Sequence, residues 1–171
     1  MRVFTLSIGL LLFSEVGHGQ SVPRKALHVE VTTHAGDHAR FVAGSGVTFL
    51  VSLNRPAYLT VVFKNAAGKR THLYPPPNTP PVPQDAGAYL PLAHFSQTLR
   101  VSPPFGRETM TVLASDRAFP ALPGHSAPGF REVEWSEPQW EKWLRTYPAQ
   151  CKCEFAISQV SFNTFADGTT K

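Results

Sequence analysis

The chain has 171 residues, with 16 Lys and Arg against 12 Asp and Glu, for a formal net charge of +4. That length suits one domain with a real core. The basic residues are scattered, with no run longer than the pairs Arg24-Lys25 and Lys69-Arg70. A nucleic-acid binder concentrates such residues on one face or stripe, so that class is set aside. A mildly basic surface still favours anionic polymers or lipid headgroups.

Arg2 is followed by an apolar run from Val3 to Phe13, and Gly17 and Gly19 place small residues ahead of Gln20. This layout predicts a secretory signal peptide over residues 1–19 and a single mature domain over 20–171. The alternative is a core strand or helix at the N-terminus. Spanning a membrane takes roughly 20 apolar residues, so no transmembrane helix is expected. The expected destination is periplasmic or secreted.

Alternation then dominates. Leu27, Val29 and Val31 oppose His28, Glu30 and Thr32, and Val47, Phe49, Val51 and Leu53 repeat the pattern. A period of two describes strands with one buried face. Tyr58–Phe63 is apolar on both faces and reads as a central strand, with a turn at Asn65–Gly68 and a short strand at His72–Tyr74. Six prolines between Pro75 and Pro83 exclude a central strand there and predict a stiff, extended loop. Leu99 and Val101 mark another strand, and Glu108–Ala114 a clearer one. Phe119–Pro128, rich in Pro, Gly and Ala, reads as a second loop. Ser136, Pro138 and Gln139 make a helix start, and Trp140, Trp143, Leu144 and Tyr147 form one apolar stripe. The helix is expected over about 136–147, ended by Pro148. A last strand over about 154–162 switches its apolar face between Ile157 and Val160, which predicts a bulge. Short strands at this spacing, with one helix, predict a mainly β sandwich.

Candidate chemistry is sparse. His34, Asp37 and His38 form the tightest metal-capable group, but Gly36-Asp37 between alternating segments reads as a hairpin turn. A catalytic zinc takes three protein ligands, and no spacing supplies the third, so neither metal nor cofactor is expected. Cys151 and Cys153 are the only thiols. Two extended residues span about 6.6–7.2 Å, near the upper limit for a disulfide. A local bridge in a bent backbone, two free thiols and bonds to a partner all remain open; a soft-metal site is a fourth reading, which a thiolate pair alone leaves incomplete. Gly44-Ser45-Gly46 lacks the spacing of a nucleophile elbow, and no catalytic residues are assigned.

Three stretches together resemble a bacterial family, the domain of unknown function 4384. They are Gly36-Asp37 through Phe41 leading to Asn54–Leu59, Gly68-Lys69 followed by Leu73-Tyr74-Pro75, and Pro104–Glu108 running into Val112–Ser115. The resemblance covers about residues 34–118 and departs from the family in its long proline insertion. It implies an immunoglobulin-like antiparallel β-sandwich found in exported or envelope proteins, here with one C-terminal α-helix packed against it. It carries over no catalytic residues.

The function expected from these readings is that of an exported, non-catalytic binding or accessory module engaging a protein of the bacterial cell envelope. A β-sandwich binding a small molecule, glycan or metal is the alternative. Tyr74, Asn78, Tyr89, Phe105 and Arg107 are the candidate binding residues, with a buried core role as the alternative for Tyr74 and Phe105.

Overall fold

The computed structural model describes residues 25–91 and 99–166; the expected signal peptide lies outside them. The strands, in chain order, are β1 (Val29–Thr33), β2 (Arg40–Val42), β3 (Gly46–Val47), β4 (Phe49–Leu53), β5 (Tyr58–Lys64) and β6 (Arg70–Tyr74). They continue as β7 (Gly87–Pro91), β8 (Leu99–Arg100), β9 (Arg107–Ser115), β10 (Gly124–Ala127) and β11 (Phe130–Val133), and helix α1 (Glu137–Cys151) precedes β12 (Phe155–Phe165). Among the described residues the fold is mainly β with one helix.

A seven-stranded sheet, ordered β10-β11-β6-β5-β9-β12-β2, forms the middle layer. The three-stranded sheet β1-β4-β7 packs on one of its faces, where the Val31 amide donates to Ser158 Oγ of β12 at 3.1 Å. Between these sheets Val31, Phe49, Val51, Val61, Met110, Val112 and Phe162 form the main core. Helix α1 covers part of the opposite face through a second core of Val62, Leu113, Leu122, Val133 and Trp140. This explains why Tyr58–Phe63 is apolar on both sides: β5 lies between β6 and β9, under a layer on each face. Each fully buried Val or Leu side chain contributes roughly 1.5–3 kcal/mol.

Several expectations change. The segment 47–53 is two strands divided at Thr48; β3 pairs β8 while β4 pairs β1 and β7. The turn after β1 is not a hairpin, because it carries the chain across the core to β2, which runs parallel to β12 in the other sheet. Phe119–Pro128 is only partly a loop. Its Gly124–Ala127 segment is the edge strand β10, and Leu122 is buried in the second core. No bulge is needed in β12, since its register against β9 runs unshifted from Phe155↔Ser115 to Asn163↔Arg107. The apolar residues change side because both faces are covered, Phe155 by the helix side and Val160 and Phe162 by the sandwich core.

The helix starts as read. Gln139 Oε1 accepts from the Ser136 amide at 2.8 Å and from its hydroxyl at 2.9 Å. It does not stop at Pro148 but continues to Cys151. Proline removes one backbone N–H, and Tyr147, stacked on Phe119 at 5.4 Å between ring centres and edge-on to Phe155, holds this end against the sheet. The turn out of the helix places Lys152 in the left-handed region, with φ of 50°. That bend brings the Cα atoms of Cys151 and Cys153 to 5.2 Å, and the two thiols form a disulfide. A side chain in this region is disfavoured relative to glycine. The left-handed region costs an L residue roughly 1–2 kcal/mol, more than the roughly 0.5–1 kcal/mol of entropy that glycine loses on folding, so Lys152→Gly should raise stability, read from urea midpoints; an unchanged or lower midpoint would contradict it.

Candidate functional site

Where α1 starts, it leaves part of the large sheet uncovered, and a cleft of about 610 Å³ opens there. Its floor is two neighbouring rungs of the β9–β12 ladder. Thr109 faces Ser161, their hydroxyls 3.1 Å apart, and Gln159 Nε2 donates to Thr111 Oγ1 at 3.1 Å. Further along the same face of β9, Leu113 is fully buried in the second core. The change from hydroxyl to apolar side chains along one strand face thus follows the edge of helix cover.

Lys64 and Arg70, directly opposite each other on β5 and β6, line one side. Like charges across a ladder repel, and the fold answers with Glu137, the first residue of α1. Its carboxylate accepts from Arg70 and sits 3.4 Å from Lys64 Nζ. The Arg70 hydrogen bond, ahead of the charge of Arg70 and Lys64, holds the Glu137 carboxyl below its ordinary pKa. Arg70 itself is 4 % exposed. Its guanidinium reaches the Trp135 carbonyl at 3.4 Å and lies 5.6 Å from the Trp140 ring centre. Arg107, at the start of β9, is exposed at the cleft, and its guanidinium has no ion pair or hydrogen bond among the described residues.

The other residues expected to bind do not gather around Arg107. Tyr74 is buried against the sandwich core, and its hydroxyl accepts from Gln84 Nε2 at 2.7 Å. It shares with Asn78 a second, more apolar cleft of about 160 Å³, walled by Pro75, Pro76 and Phe119. Tyr89 is exposed on β7 and donates to Glu30 at 2.8 Å. Phe105 packs against the main core. His34 Nδ1 accepts from the Thr48 amide at 3.2 Å, and Asp37 accepts from the Thr32 hydroxyl at 2.8 Å. No group of three metal-capable side chains occurs among the described residues.

Two buried ionisable groups have displaced pKa values. Glu108 lines a small pocket of about 110 Å³ with Phe49, Phe63 and Phe162. Burial raises it to about 7, against a hydrogen bond from Thr164 that lowers it. His72 lies in the cleft that holds Tyr74. Burial pushes it down to about 4, a hydrogen bond to the Tyr74 backbone acts in the opposite sense, and the Arg131 charge lowers it further. No residue lines both pockets.

Fold and site together define a helix-backed, mostly antiparallel sandwich with a polar, ligand-sized cleft on its outer face. Residues 40–118 match the family described as Domain of unknown function (DUF4384), the family that the sequence motifs resemble. The matched segment begins at Arg40, just after Gly36-Asp37. No curated protein and no solved structure matches the chain. The cleft straddles the boundary of the matched segment: Lys64, Arg70, Arg107, Thr109 and Thr111 lie within it, whereas Glu137, Trp140, Gln159 and Ser161 follow it.

Proposed function

We propose that the protein is an exported, non-catalytic binding module of the bacterial cell envelope that takes its ligand in the cleft beside α1. The observation carrying this reading is the exposed, uncommitted Arg107 guanidinium above a floor of hydroxyl and amide groups. Clefts of 300–1,000 Å³ with a few convergent polar groups are the usual form of ligand sites. Strand addition is the weaker route at the outer edges of the large sheet. β10 has four residues between Pro123 and Pro128, and β2 has three. Short, proline-flanked edges resist pairing. The non-catalytic part of the reading is supported by Glu108 and His72 lining two separate pockets, neither of which is the cleft.

The test is retention of an envelope component by the mature chain, together with recovery of that chain beginning at Gln20 from the periplasmic or secreted fraction. Ser161→Trp, which fills the cleft floor, should abolish retention while leaving the circular dichroism unchanged. Retention unaffected by Ser161→Trp but lost on Asn78→Trp would move the site to the proline-walled cleft, as expected for a protein partner. Retention unaffected by either variant would sink both readings.

A further inference from the structure

We infer that the cleft beside α1 is a subsite for an acidic saccharide, with a sugar carboxylate held by Arg107 and the sugar hydroxyls held by the Thr109–Ser161 and Thr111–Gln159 rungs. This rests on the reading of the cleft as the ligand site and names its chemistry.

The floor selects for hydroxyls. A Thr or Ser hydroxyl has one donor and two acceptor positions, and the Gln amide has two donors and an acceptor. Each rung uses one hydrogen bond internally and keeps further positions for a ligand. Two such rungs, side by side on adjacent strands, present a patch of groups that both give and take hydrogen bonds. A sugar ring, with hydroxyls along its rim, fits such a patch better than a purely apolar or purely anionic molecule.

The charges select for one negative group. Lys64, Arg70 and Arg107 face Glu137 and Glu141 across the cleft, three positive groups against two negative, which leaves one positive. Arg70 and Lys64 are engaged by Glu137, and Glu141 lies 3.9 Å from Arg145. The uncommitted charge is therefore Arg107. Its planar fork matches a carboxylate in a two-point contact, and a single carboxylate balances the surplus. Arg107 is exposed and hydrated before binding, and the two-point contact replaces that water with a charge-assisted pair that a neutral sugar cannot make.

The experiment follows amide signals of the mature protein by NMR during titration with digalacturonate, with cellobiose as a neutral disaccharide and glucose 6-phosphate as a phosphorylated sugar. Digalacturonate should shift the amides of Thr109, Thr111, Gln159 and Ser161. Arg107→Gln should weaken its binding at least tenfold, and Lys142→Gln, on the exposed side of α1, should not change it. Equal binding of cellobiose and digalacturonate, or no effect of Arg107→Gln, would overturn the acidic-saccharide assignment. Stronger binding of glucose 6-phosphate would overturn the carboxylate in favour of phosphate. Absence of cleft shifts with all three sugars would also overturn it. The cleft itself would still stand as the ligand site if Ser161→Trp abolished envelope retention, and would fall if it did not.

Discussion

Gly124→Ala should lower stability by about 2 kcal/mol, by loosening the edge hairpin and not the centre of the fold. Gly124 opens β10 with φ of +144°, a region used almost only by glycine. A Cβ built there would lie 1.7 Å from the Glu132 carbonyl oxygen and 2.8 Å from its carbon. Both obstacles are backbone atoms of the neighbouring strand, so no side-chain rotation relieves them. Holding an Ala in place would cost more than the roughly 1–3 kcal/mol typical of a strained backbone position. The edge strand gives way more cheaply. β10 has four residues and pairs only with β11, and its separation limits the loss. The expected readout is a fall in melting temperature of roughly 5 °C and faster hydrogen exchange at residues 124–127. Exchange in β5 and β9 should quicken only in proportion to the global change. Wild-type stability and exchange would refute the hairpin geometry.

That glycine also marks where sequence patterning stops being informative. Strands with one wet face announce themselves by alternation, and a strand with two covered faces by an unbroken apolar run. β1, β4, β5 and β9 are legible on those grounds. Ser136, Gln139 and the Trp140–Tyr147 stripe likewise locate α1, because caps and helical spacing are local properties. β10 has no such signal. Gly-His-Ser-Ala alternates nothing apolar, and its pairing comes from register with β11 alone. The disulfide needed Lys152 to enter the left-handed region, which no residue type in Cys-Lys-Cys announces.

The candidate site was legible only in fragments. Arg107 stood out through the Pro104–Glu108 motif, but Tyr74, Asn78, Tyr89 and Phe105 belong to other surfaces or to the core. The floor residues were missed because Thr109 and Thr111 look like the ordinary polar positions of a half-buried strand, as do Gln159 and Ser161. Their signal emerges only when the β9–β12 register places the two polar rows side by side. The cleft also requires α1 to end its cover at that point, a matter of tertiary placement. Nine of its fifteen lining residues come from the matched segment and six from the chain after it. The helix is thus what turns an exposed sheet face into a bounded site.

Stability between pH 4.5 and 6.5 should be nearly flat in the native protein, because two buried groups pull it in opposite directions. Glu108 titrates at about 7 in the fold against 4.5 in the unfolded chain. Between those values the folded state binds the extra proton, so its contribution falls as pH rises from about 4.5 to about 7. His72 titrates at about 4 in the fold against 6.5 unfolded. There the unfolded state binds the extra proton, so stability rises over about pH 4 to 6.5. Each displacement corresponds to at most about 3 kcal/mol, and the overlapping windows let the two largely cancel. Glu137, held low by Arg70, acts below this range. Single substitutions should expose each slope. Glu108→Gln keeps the side-chain size without the charge, so it should be about 2–3 kcal/mol more stable than the native protein at pH 8 and show stability rising with pH between 4 and 6.5. His72→Phe should leave the opposite trend, with stability falling from pH 4.5 to 7. The groups line separate pockets, so the double variant should be flat again, as independent sites add. Urea midpoints measured from pH 4 to 8 on the four proteins decide the matter. Parallel pH curves for all four would mean that neither group is displaced by burial.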